Sequence, residues 1–273
     1  MGKHGFDRGP LSMAPPDPLD RRPIYLISID DTDNLESRGT GHHARRLGAF
    51  LQTEAMAGLL DVTRHQLFVD PRIPYTSHNS SLCLRVRMAH DRLDDVKRTC
   101  CDYLLRESAE GSDAGICIGA WDAVSEAVED FGRSAKHEVL TLAQARDLAA
   151  AQNLYLEGLT GNHGGMIGAL AGIGLRHSGN DGRVVWRHGI RQASGILSAG
   201  ELLATTGIDA IRCAYSGIEV SAHDRIDVTP WPRPVMIAGE AVLFVQHEGE
   251  GNDKFAWRLV DRSRSKGHER NHA

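Results

Sequence analysis

The stretch Ile27-Ser28-Ile29-Asp30-Asp31-Thr32-Asp33, running on through Asn34 and Arg38 into Gly39-Thr40-Gly41-His42-His43, decides how this chain reads. Tyr25, Leu26, Ile27 and Ile29 are a short apolar run rich in strand formers, the pattern of a buried strand that carries Asp30, Asp31 and Asp33 to its carboxyl end. Ligands of α/β sheets gather at that end. Beyond the glycines, Ala44, Leu47, Leu51, Ala55 and Leu59 recur at helical intervals, which predicts a helix beginning near Gly41 with its backbone N–H groups turned toward the acids. Anionic phosphate is favoured at such a helix start. Three carboxylates within four residues repel one another. Hard oxygen donors of this kind suit Mg²⁺, which keeps water ligands and completes its shell with substrate phosphates. The same spacing fits acids that cap the helix and line a solvated turn, and both readings stay open at this point.

Outward to the N-terminus, residues 1–22 combine Gly, Pro and charge without hydrophobic periodicity, and Pro10, Pro15, Pro16 and Pro18 break any helix, so a disordered arm is expected. The chain of 273 residues is 41% hydrophobic, enough for a sizeable core in one large domain or two modest ones. A formal charge of −5 argues against a generic nucleic-acid binder. The five cysteines, Cys83, Cys100, Cys101, Cys117 and Cys213, form no C-x-x-C pair and read as thiols of a reducing compartment. There is no signal-type apolar segment and no membrane-spanning run, so the expected location is the cytoplasm, with no membrane partner.

Outward to the C-terminus, Val62 to Asp70 reads as a strand, Pro71-Arg72-Ile73-Pro74-Tyr75 as a rigid turn, and Leu82 to Met88 as a half-buried strand in which Leu82, Leu84, Val86 and Met88 alternate with Cys83, Arg85 and Arg87. Asp91 to Arg106 has helical spacing and Ala114 to Gly119 is a further short strand, an order that suits a small α+β layer. Helices are predicted from Ser125 to Phe131 and from Leu142 to Leu156, the second capped by Thr141. Next comes Gly161-Asn162-His163-Gly164-Gly165-Met166-Ile167-Gly168, leading into a small-residue helix as far as Gly174. Repeated glycines in a helix imply either close packing or close approach of a ligand. Val184 to Arg187 reads as a strand, residues 188–227 have no clear assignment, and Val235 to Phe244 reads as a hairpin turning near Gly239. Phe255 to Val260 adds a strand, and residues 261–273 read as a solvated basic tail.

Three segments together resemble a known family: Ile29-Asp30-Asp31-Thr32-Asp33, Ile73-Pro74-Tyr75 and Ile167-Gly168-Ala169-Leu170-Ala171. They occur in this order, at similar separations, in the archaeal tRNA-isoleucine agmatinylcytidine synthetases. The likeness runs from about Pro23 to Arg187 and more faintly to Glu240. That family uses ATP to phosphorylate a cytidine carbonyl and displaces the phosphate with agmatine. The resemblance implies an α/β (α+β) fold with a kinase-like catalytic domain and an associated ferredoxin-like domain. It divides the chain into a kinase-like core at 23–187 that includes ferredoxin-like elements and a ferredoxin-like or β-rich region at 188–260. It implies ATP and Mg²⁺ as cofactors, with Asp30, Asp31 and Asp33 toward the metal and ATP phosphates and Gly165 and Gly168 facing the same cleft; the helix start and the glycine-rich turn add Thr32, Gly39, Gly41, His163 and Gly164 as nucleotide-side candidates. Asp31, His42 and His43 are the catalytic candidates; near phosphate a histidine serves as donor, base or transient acceptor, and otherwise it is a polar residue on an exposed turn.

The chain also departs from the family. Gly41-His42-His43 stands where the family has Cys-Thr-Thr, and Thr76-Ser77-His78-Asn79-Ser80 stands where it has Lys-Thr-Arg-Gly-Asn, which removes two cleft cations. The family's OB-fold and zinc ribbon have no counterpart in these 273 residues. The expected partners are therefore a nucleotide and a small or nucleoside-like acceptor, with tRNA disfavoured and a homodimer allowed. The expected function is ATP- and Mg-dependent phosphoryl transfer, with amine attachment as one outcome; the alternatives are an inactive nucleotide-binding module and a true tRNA-modifying synthetase.

Overall fold

In the computed structural model the described residues are 22–73, 76, 79–215, 218–248 and 256–260. The N-terminal arm up to residue 21, Pro74 and Tyr75 of the turn, His78, the start of the last strand at Phe255 and the basic tail lie outside them. The first half of the chain runs β1 (Ile24–Asp30), α1 (Thr40–Thr53), β2 (Gly58–Gln66), β3 (Ser80–Arg87), α2 (Leu93–Glu107) and β4 (Gly115–Ala120). β1 lies between β3 and β4, and β3 lies between β1 and β2, all antiparallel. This order of strands in a βαββαβ unit is the ferredoxin-like split crossover.

Two helical layers cover this sheet. Leu47 and Leu51 of α1 and Val96, Cys100 and Leu104 of α2 pack with Ile27, Ile29, Leu82 and Leu84 on one face. On the other face lie α3 (Glu126–Ser134), α4 (Leu142–Ala151) and α5 (Gly165–His177), with Leu26, Cys83 and Cys117 beneath them. The strand expected to be half-buried is thus covered on both faces, because α5 lies over the second face of β3 and buries Cys83 fully, as a core thiol. Truncating a fully buried leucine such as Leu47 in such a core costs about 2–5 kcal/mol.

α1 stops at Thr53 because Ala55 takes a left-handed backbone (φ 51°), so Leu59 belongs to β2 and continues no helix. That strand begins earlier and ends earlier than the expected Val62 to Asp70. The helix expected over Leu142 to Leu156 ends at Ala151: Asn153 is left-handed (φ 52°) and the chain turns into β5 (Tyr155–Gly158), which pairs with β4. Thr141 does cap α4, in a full capping box with Gln144.

The sheet continues past β2 through β6 (Arg183–Arg187) to β10 (Val235–Ile237), β11 (Glu240–His247) and β12 (Trp257–Leu259), then β9 (Arg225–Asp227) and β7 (Ile196–Ser198). β8 (Ala210–Cys213) pairs parallel with β11 and α6 (Ala199–Thr205) packs nearby, which resolves the unassigned stretch 188–227 into short elements. The hairpin turn at Ala238-Gly239 is as expected. A separate core of Ile190, Leu202, Ile226, Leu243 and Trp257 supports this half.

A candidate phosphoryl-transfer cleft

β1 hands Asp30 and Asp31 to a cleft of about 660 Å³ at its carboxyl end. Asp31 adopts a left-handed backbone (φ 52°), a conformation tolerated by aspartate and concentrated at functional sites, and it turns the chain sharply out of the sheet. Because β4 runs antiparallel to β1 with Asp30 opposite Gly115, the residues just before β4 return to the same place. That brings Asp113, which sequence reading passed over, into the cleft beside Asp31. The clue lay in strand pairing and in no local motif.

The acids are electrostatically crowded. Burial, then the neighbouring Asp31 and Asp33, push the Asp30 carboxyl up to about 8, against a backbone hydrogen bond from Asp31 that works to lower it. Burial, then Asp113 and Asp33, push Asp31 up to about 6. Asp33 is employed differently. Its Oδ1 accepts from the Thr40 hydroxyl at 2.6 Å and the Thr40 N–H at 3.3 Å, and its Oδ2 accepts from the Thr76 hydroxyl at 3.0 Å. It therefore braces the start of α1, as the capping alternative anticipated. Among the described residues no three His, Cys, Asp or Glu side chains converge as a metal cage. The expectation of a three-carboxylate site thus gives way to a narrower one: Asp30 and Asp31 suit a Mg²⁺ that takes one or two carboxylates and draws its other ligands from phosphate and water.

The glycine-rich element does meet the acids, in a manner other than expected. A β-carbon at Gly168 would stand 1.6 Å from Asp30 Oδ2, so the carboxylate lies directly against the first turn of α5. At Gly165 the same addition would meet the backbone of Asp30, Asp113 and Gly115 at 2.7 Å. The amides thought to face phosphate are engaged: Gly165 N–H donates to the Asp113 carbonyl at 2.9 Å and Gly164 N–H to Asn162 Oδ1 at 2.8 Å. Farther along, Gly172 admits Ser28 of β1 and Gly174 admits the backbone of Val128 on α3. The glycines of one helix thus meet different neighbours, the Asp30 carboxylate near its start and the backbone of α3 farther along.

Of the remaining candidates, Gly39, Gly41, His42 and Gly164 line the cleft. Thr32 is fully buried behind it and donates its hydroxyl to Thr40 Oγ1 at 3.1 Å. His43 turns inward, is buried, and leaves its Nδ1 without a partner among the described residues. His163, at a left-handed φ of 70°, packs on Gly158 outside the cleft lining. Burial and then the cations Arg38, Arg45 and Arg46, with His43, hold His42 below the ordinary histidine range.

The same cleft carries an arginine wall that the motifs do not mark. Arg45 comes from α1, one turn beyond Gly41. Arg64 and Arg183 come from one cross-strand row, since Ile29 faces Leu82, Leu82 faces Arg64, and Arg64 faces Arg183. Arg191 and Trp231 reach in from the C-terminal half. Arg72 also lines the cleft but is held by Asp70 through two bonds of 2.7 and 2.9 Å. The expectation of a cation-poor cleft is overturned: the arginines come from strands, a helix and the loop after β6 rather than from the loop after Ile73.

No family model matches the chain. An uncharacterized protein of Methanocaldococcus jannaschii is 27% identical over 153 residues, 55% of this chain and 49% of that protein. The crystal structure of TiaS in complex with an isoleucine tRNA and ATP aligns with a TM-score of 0.50 at 20% identity, over 56% of this chain and 36% of that one. That of apo TiaS, a tRNA agmatidine synthetase, aligns at 0.48 and 19% identity, over 55% and 35%. The chain thus spans about half the length of the curated relative and about a third of TiaS. No helix among the described residues is long and apolar enough to cross a membrane. Over a little more than half its length the chain shares the mixed α/β fold of TiaS.

Proposed function

We propose that this protein is an ATP- and Mg-dependent phosphoryl-transfer enzyme that activates a carbonyl or hydroxyl of a small or nucleoside-like acceptor. The observation that carries this reading is the pairing of Asp30 and left-handed Asp31 at the end of β1 with the open start of α1 in the same cleft. Phosphoryl transfer requires positioning and charge neutralisation more than covalent help from the protein. Asp30 and Asp31 would hold the metal, which would supply charge neutralisation to the nucleotide phosphates. The open start of α1, from Gly39 to Gly41, faces the phosphates. His42, held below the ordinary histidine range by burial and its cationic neighbours, lines the cleft and would accept the acceptor's proton. That TiaS, whose fold this chain shares in part, was solved with tRNA and ATP supports ATP as the nucleotide and makes a tRNA acceptor one natural extension. Amine attachment, implied by the resemblance of the acidic and glycine-rich segments, is the other. We take residues 23–187 as the catalytic unit and 188–260 as a unit of its own that contributes to the acceptor side.

The test is incubation of the full chain with Mg-ATP and a metabolite pool, following ADP, AMP and phosphate, beside the same assay with purified tRNA. Acceptor-dependent release of ADP or AMP is expected. Tight nucleotide binding with no turnover on any acceptor would leave a binding module in its place.

A further inference from the structure

The C-terminal half contributes to the cleft a group that the acid end does not require. Arg191 lies in the loop after β6; its Nε donates to the Val185 carbonyl at 3.1 Å and its guanidinium stacks 3.8 Å above the ring of Trp231. Arg233 flanks the same ring at 5.3 Å. Arg191 is thus fixed by a backbone oxygen and an indole face rather than by a carboxylate, and it forms no salt bridge among the described residues. Arg45, half-buried on α1, likewise forms none there. Both line the cleft, together with Arg183 and Arg64. The cations crowd one another: burial and then Arg45, Arg233 and Arg183 all disfavour the charge on Arg191. A guanidinium held by a backbone oxygen and an indole face, with a second one lining the same cleft and forming no salt bridge among the described residues, is the arrangement that receives a carboxylate or phosphate by paired N–H donors.

We propose that Arg191 and Arg45, seated on Trp231 and α1, form a subsite for an anionic group, a phosphate monoester or a carboxylate, on a small acceptor molecule. It rests on the nucleotide reading for the word acceptor, while the anion site itself stands on these residues alone. The acceptor is then anchored at the arginine wall and presents its reacting oxygen toward the acid end, where the nucleotide lies. Selectivity follows from charge: neutral analogues of the acceptor lose the anchor.

Calorimetric titration of the full chain with inorganic phosphate and, separately, with succinate tests this, each with and without Mg-AMPCPP. Saturable binding of at least one anion is expected, weakened at least fivefold in Arg191→Gln and, on a separate element, in Arg45→Gln, while Mg-AMPCPP affinity stays within twofold of the parent. Binding of phosphate alone names a phosphate monoester, and binding of succinate alone names a carboxylate. Absence of saturable binding, equal binding in both variants, or a parallel loss of nucleotide affinity overturns the proposal, the last because the arginines then serve the nucleotide. If the anion arms behave as expected and Mg-AMPCPP does not bind the parent protein, the anion site stands and the nucleotide reading fails.

Discussion

Asp31 combines a left-handed backbone with a carboxyl that burial and Asp113 raise to about 6, and Asp30 beside it is raised to about 8. Both prefer a proton or a cation nearby. Asp31→Asn is expected to weaken Mg-dependent ATP binding at least tenfold, about 1.4 kcal/mol; unchanged affinity by calorimetry would remove Asp31 from the site. The raised values also set a pH dependence. A carboxyl whose folded pKa exceeds its ordinary value takes up a proton on folding, so its contribution is fully present below the ordinary value of 3.8 and is lost as pH rises toward about 8. In the absence of divalent cation, thermal stability should therefore decline from about pH 5 to about pH 8, and Asp30→Asn should flatten that decline. A variant with the same slope as the parent would show that other groups set it.

Along α5, the glycines have distinct neighbours although they share one helix. Gly168 faces the Asp30 carboxylate, whereas Gly174 faces the Val128 backbone, where an added β-carbon would stand 2.0 Å from a carbonyl oxygen. Gly168→Ala should displace the Asp30 side chain and reduce nucleotide affinity several-fold. Gly174→Ala should instead overpack the α3–α5 contact, costing about 1–3 kcal/mol of stability and leaving nucleotide affinity of the folded protein unchanged. Equal effects of the two substitutions on calorimetric nucleotide affinity would contradict this division. The sequence supplied the spacing of the glycines, but only the packed neighbours distinguish them.

Across the whole molecule, α5 is tied to the sheet by a buried ion cluster. Arg176 donates to both oxygens of Asp61 at 3.1 and 3.0 Å, and Arg85 reaches Asp61 at 2.8 Å. Burial works to raise the Asp61 carboxyl, but Arg176 and Arg85 override it and hold it below the ordinary range. Arg176→Met takes away one buried partner and should cost about 3–5 kcal/mol in denaturant unfolding. The double change with Asp61→Leu should cost less than the sum of the two singles; strict additivity would argue against a direct coupling. The same sheet carries the C-terminal half, joined by the register of Val235 with Arg183, and this brings Arg191 and Trp231 to the cleft.

Local chemistry was enough to read β1, the opening of α1, the Thr141 cap and the hairpin at Gly239, because strand runs, caps and turns depend on neighbours a few residues apart. It also marked Asp30 and Asp31. Pairing across the sheet determined the rest. Asp113 reaches the acids only because β4 runs antiparallel to β1, and Arg64 and Arg183 share a row only through β3 and β2. His43 and His163 carry no mark in the sequence that separates them from His42; helix facing and packing on Gly158 decided their places. Periodicity records which side of an element is apolar, and a cleft is made of the ends and edges where several elements meet, which is why its acids were legible from one segment and its arginines only from the fold.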